Sequence, residues 1–166
     1  MTQHTCIAIV DASRARLFVH TRSVDPSGTN DAFIEHADLV DPARRLAGTE
    51  LFSDTRTNSG VAANGHHYGI DDHRAAHIDQ LDTEFAREIV AKLEALVTET
   101  SCHRVVLCAS PHMLGTLRDL LGVLRELAPI DELARDFVKL TPPELRVQLA
   151  AHGLLARVPD RSARAV

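Results

Sequence analysis

The six residues Arg104–Ala109 (RVVLCA) make a continuous, mostly apolar run that ends at Ser110 and Pro111. A short run without polar alternation is the pattern of a strand buried on both faces, and such a strand belongs near the middle of a sheet covered by helices. Ser110 is placed to cap a helix. Pro111 is placed to open it, because its fixed φ and missing N–H suit the first helical position. That helix is expected to continue through Leu114, Leu117, Leu121 and Leu124. A strand, a tight turn and a helix therefore anchor the chain to an α/β architecture.

The remaining pattern extends this frame. Residues 5–10 (TCIAIV) and 16–20 (RLFVH) are short β-prone runs separated by small polar residues, which predicts a hairpin, and Ala32–Val40 supplies a third strand. Ile78, Leu81, Phe85, Ile89, Leu93 and Leu96 recur three or four apart and predict a long amphipathic helix, with Asp71 or Asp72 as its cap and Asp82, Glu84, Glu88, Lys92 and Glu99 elsewhere around the wheel. A further strand falls within Pro129–Ala134. Thr141 and Glu144 then form a capping box for a short helix that stops at Gly153. The expected fold is a mixed β-sheet of about five strands with helices packed on it. Residues 1–155 are read as one domain with a long irregular loop at about 41–75, and residues 156–166 as a disordered tail.

Composition narrows the function. The chain has 166 residues and a formal net charge of -5, which excludes a strongly basic protein that wraps nucleic acid by counterion release. The apolar run Cys6–Val10 is too short for a signal-peptide core or a membrane span, so a cytoplasmic protein without a membrane partner is expected. Cys6, Cys102 and Cys108 are odd in number and never in a CxxC arrangement, which argues against a disulfide framework or a zinc knuckle. Cys6 and Cys108 read as small buried hydrophobes, with Cys102 left open.

Several groups of residues could carry chemistry. GHHYGIDDHRAAH places His66, His67, His73 and His77 near Asp71 and Asp72, all metal-ligand types, with His73 and His77 one helical turn apart. The plainer account is a solvated polar loop. Ser110 and His112 stand where a strand gives way to a helix N-terminus, a place suited to an anion, although capping alone explains Ser110. Asp11, Glu35 and either Asp131 or Asp136 could gather magnesium at strand ends, while turn chemistry explains Asp11 equally well. Arginine outnumbers lysine, which occurs only at Lys92 and Lys139. Arg14, Arg16, Arg44, Arg45 and Arg56 could bind phosphate, or could form a solvated mixed-charge face with their acidic neighbours. No serine has a GxSxG setting, and no catalytic residue is identified.

DASRARLF at 11–18, VVLCASPHMLGTLRDLL at 105–121 and ARDFVKLTPPELRVQL at 134–149, with EFAREI in the intervening helix, together resemble the bacterial host attachment protein family over roughly residues 5–152. That family is similar in turn to the middle domain of archaeo-eukaryotic peptide release factors, a ribonuclease-H-like domain whose exposed loop enters the ribosomal peptidyl-transferase centre. Residues 53–75 occupy the corresponding place. The release-factor loop depends on Gly-Gly-Gln, where this chain reads NGHHYG at 64–69. The resemblance implies a non-catalytic cytoplasmic protein contacting RNA or the ribosome through its loop. Contact candidates are Arg14, Arg44, Arg45, Arg56, His66, His67, Ser110 and His112, and no cofactor is expected. The alternative is a metal-dependent hydrolase or metal-binding protein using a divalent ion on His66, His67, Asp72, His73 and His77. A homo-oligomeric interaction module is a third reading.

Overall fold

The computed structural model describes residues 1–47 and 68–157. Its elements are β1 (Thr2–Val10), β2 (Arg14–Asp25), β3 (Gly28–Val40), α1 (residues 42–47), α2 (Tyr68–Thr100), β4 (Arg104–Ala109), α3 (Pro111–Arg118), α4 (Gly122–Leu127), β5 (Ile130–Ala134) and α5 (Pro142–Ala151). The five strands form one sheet in the order β3-β2-β1-β4-β5. β1 pairs antiparallel with β2 and parallel with β4, β2 is antiparallel to β3, and β4 is parallel to β5. Only β2 runs against the others, which gives the mixed α/β sheet of five strands expected from the sequence.

The alternation of side chains along a strand divides the core in two. Cys6, Ala8, Val10, Leu17, Val105 and Leu107 point to one face, where Phe85, Ile89 and Leu93 of α2 and Leu114, Leu117, Leu121 and Leu124 of α3 and its successors cover them. Ile7, Ile9, Phe18, Val106 and Cys108 point to the other, under Val138, Leu145, Leu149 and Leu155. Burial on both faces explains why β1 and β4 read as unbroken apolar runs. Each fully buried Phe, Ile or Leu stabilises the fold by roughly 1.5–3 kcal/mol relative to an exposed one.

Four sequence expectations need correction. The irregular loop does not fill 41–75: residues 42–47 are helical and α2 begins at Tyr68. Residues 72–77 of α2 are all exposed, so that stretch has no apolar stripe for a periodicity argument to find. The Asp71 or Asp72 cap is displaced with the helix start. The helix after Ser110 is two helices, broken at 119–121, and the break lets Leu121 and Leu124 stay in the core as the chain changes direction. Cys6 and Cys102 are joined by a disulfide across 96 residues, a pairing made by the fold and invisible in local spacing.

Other local chemistry is as read. Ser110 Oγ accepts from Met113 N at 3.4 Å, and Thr141 with Glu144 forms the reciprocal capping box of α5. The contact to the Thr141 backbone holds the Glu144 carboxyl below the usual range. Gly153 has φ 72° just beyond α5, a conformation that glycine adopts without a Cβ clash.

Candidate functional site

Asp82 occupies a core-facing position of α2, three residues before Phe85 and seven before Ile89, and its side chain is 1% exposed. A buried carboxylate must be compensated. Two groups do this: Arg44 Nε on α1 donates to Asp82 Oδ1 at 2.8 Å, and His112 Nε2 lies 3.0 Å from Oδ2. Arg44 is positioned by the start of α1, where its backbone N–H donates to Asp41 Oδ1 at 3.2 Å. His112 is placed by the turn from β4 into α3, directly after Ser110 and Pro111.

Asp79, one turn before Asp82, completes a group. Ligand atoms of Asp79, Asp82 and His112 all lie within 4.8 Å of one another. Asp79 and His112 border an open groove of about 550 Å³ that Thr83, Thr116 and Asp119 also line, with Asp82 buried behind them. The two threonine hydroxyls donate to helix carbonyls, Thr83 to Asp79 O at 2.8 Å and Thr116 to His112 O at 3.3 Å. The groove therefore offers carboxylate and imidazole donors converging on one point, a set suited to a cation.

The sequence-derived candidates divide around this group. Arg44 and His112 come together, although through a carboxylate and not on a phosphate. Arg14 makes a paired contact with Asp38 at 2.8 and 2.7 Å, and that hydrogen bond holds the Asp38 carboxyl below its ordinary range. Arg16 is likewise tied to Glu35 at 2.8 and 2.9 Å. Arg45 is exposed on α1, and Ser110 serves as a cap. Asp72, His73 and His77 are exposed on the first turns of α2 and belong to no converging group among the described residues. Arg56, His66 and His67 lie outside the described residues.

The proposed magnesium carboxylates are separated in the fold. Asp11 Oδ1 accepts from the backbone of Ser13 and Arg14 at 2.8 and 2.7 Å, Asp131 pairs with Arg104, and Asp136 accepts from Val138 N at 3.1 Å. Asp79 and Asp82 were not among the sequence candidates. The available signal was an acidic residue inside an apolar stripe, since position 82 falls in register with Phe85, Ala86 and Ile89.

The fold and this groove define an α/β protein with a mixed sheet covered on both faces and a polar site between two helices on one of them. The sequence model of the family described as "Protein required for attachment to host cells" matches residues 6–149, and the chain belongs to that family. No curated protein matches it. Among solved structures it is similar to the Aquifex aeolicus member of the Ppx/GppA protein family, with 11% identity over 80% of this chain and a TM-score of 0.34. The chain spans 35% of that neighbour's length. No described helix is long and apolar enough to cross a membrane.

Proposed function

We propose that this member of the attachment family is a non-catalytic binding protein that holds a divalent cation on Asp79, Asp82 and His112. The observation that carries the reading is the convergence of two carboxylates and an imidazole within 4.8 Å at the edge of an open groove. Two oxygen donors and one nitrogen donor suit Mn²⁺, Fe²⁺ or Zn²⁺ better than the all-oxygen preference of Ca²⁺. Arg44 is a positioning residue: its bond to Oδ1 orients Asp82 and leaves Oδ2 facing His112. This reading keeps the metal alternative drawn from the sequence and moves it from the loop histidines to the α2–α3 groove.

The RNA or ribosome contact has less support. Arg14 and Arg44 are engaged by carboxylates, the groove is lined by acidic residues, and the other principal candidates, Arg56, His66 and His67, are outside the described residues.

Calorimetric titration of untagged protein with MnCl₂ and with ZnCl₂ tests the proposal. One equivalent should bind the wild type, and Asp79→Asn or His112→Ala should weaken it by about ten-fold or more. Absence of binding at millimolar metal, or equal binding by both variants, would overturn it.

A further inference from the structure

Cys6 lies on the central strand β1 and is wholly buried, whereas Cys102 sits in the turn between α2 and β4 and is 6% exposed. Their Cα atoms are 6.0 Å apart and a disulfide joins them. Next to Cys102, Ser101 has φ 49°, the sole positive φ outside glycine among the described residues. This is the left-handed residue that ends α2: Cys102 N donates to Val97 O at 3.1 Å and Ser101 N to Thr98 O at 3.4 Å, so the helix end itself turns the chain at Cys102. Thr100 Oγ1 stands 3.0 Å from Cys102 Sγ and 3.6 Å from Cys6 Sγ.

We propose that Cys6 and Cys102 form a reversible thiol–disulfide site that latches the C-terminal end of α2 to β1 and exchanges with small-molecule thiols and disulfides. The inference is independent of the cation reading. Both states are compatible with the fold, because each sulfur lies in the apolar cluster beneath α2 and a reduced cysteine packs there as a small hydrophobe. The third cysteine does not compete. Cys108 points to the opposite face of the sheet, into the cluster under α5, and burial pushes its thiol up to about 12.

Access is unequal, and this sets the order of exchange. A small thiolate that reaches the turn attacks Cys102 Sγ and forms a mixed disulfide, while the bonding pair leaves on Cys6 sulfur and takes up the proton lost by the attacking thiol. A second thiol attacks the small-molecule sulfur of that mixed disulfide. It releases the small disulfide, and Cys102 takes the second proton. Two thiols are oxidised to one disulfide, and the protein gains two electrons and two protons. Opening removes the covalent tie between the end of α2 and β1, so the expected structural response is local to residues 97–104.

The test equilibrates the full chain, without denaturant, in glutathione buffers of graded ratio. Acid quenching and alkylation then give the thiol count by intact mass, and peptide mapping gives the linkage. A two-electron transition confined to Cys6 and Cys102 is expected, with amide exchange at residues 97–104 faster by about ten-fold in the reduced form and the β1 core unchanged. Cys108→Ser should leave the transition in place, and Cys102→Ser should abolish it. A bond that resists reduction until denaturant is added would overturn reversibility. A chain that stays dithiol in every buffer, or that accumulates glutathione adducts without the internal bond, would overturn the pair itself.

Discussion

Asp82 Oδ2 lies 3.0 Å from His112 Nε2, a contact that joins α2 to the first turn of α3 across 30 residues of sequence. The two partners are unequally exposed, Asp82 at 1% and His112 at 62%. Removing the buried charge should therefore cost far more than removing the exposed ring. Asp82→Asn leaves Arg44 without its counter-charge and is expected to destabilise by about 3 kcal/mol, whereas His112→Ala should cost less than about 1 kcal/mol. Urea unfolding of the two variants checks this ranking. Equal losses would mean that the imidazole, and not Arg44, is the principal compensation for the carboxylate.

Much of the fold was legible because its signals are local. The buried run Arg104–Ala109, the Ser110–Pro111 helix start and the Thr141–Glu144 box each depend on residues within a few positions of one another, and each stands where expected. The stripe from Phe85 to Leu96 was readable for the same reason. Asp82 was not, since its placement among those apolar residues gains meaning only when Arg44 and His112 arrive from 38 and 30 positions away. The Cys6–Cys102 bond and the break at 119–121 were illegible on the same ground: neighbours brought in by the fold decide them.

The aromatic pair on the other face gives a direct measure of how much the second core contributes. Phe18 is fully buried on β2 and stacks on Phe33 of β3 with ring centroids 4.8 Å apart, and the Arg16 guanidinium carbon lies 5.1 Å from its ring. Phe18→Ala should cost about 3–5 kcal/mol through lost burial and the cavity left behind. Thermal melting and urea titration read the loss. A cost below about 1.5 kcal/mol, closer to a tolerated apolar swap, would indicate that α5 and β3 collapse onto the vacant space.

Cys108 offers a simple probe of tightness beneath α5. Its thiol is pushed up to about 12 by burial alone, so at pH 8 almost none is thiolate and no path leads to the sulfur while the sheet is covered. Iodoacetamide should leave Cys108 unmodified in the native protein and alkylate it on unfolding. Modification under native conditions, located by peptide mapping, would show that α5 lifts from the sheet on the timescale of the reaction.

The acid sensitivity of the fold should be traceable to Asp31. Burial raises its carboxyl, but the hydrogen bonds from Arg146, at 3.3 and 3.0 Å, and with His20 Nε2, at 2.9 Å, outweigh that and hold it below the ordinary range. A carboxyl lowered by folding contributes stability that is fully present above the unfolded value of about 4 and is lost as pH falls through the lowered native value. Arg146 is itself buried and also donates to Ala156 O at 2.6 Å, so neutralising Asp31 removes a charge-assisted bond that also helps to hold α5 and the segment after it. Asp31→Asn should therefore destabilise by about 2 kcal/mol near neutrality. The gap between wild type and variant should narrow below about pH 4 as the wild-type carboxyl takes up its proton. Urea midpoints measured above and below that pH test the sign as well as the size. A gap that widens on acidification would mean that the Asp31 carboxyl is raised by burial and not lowered by Arg146.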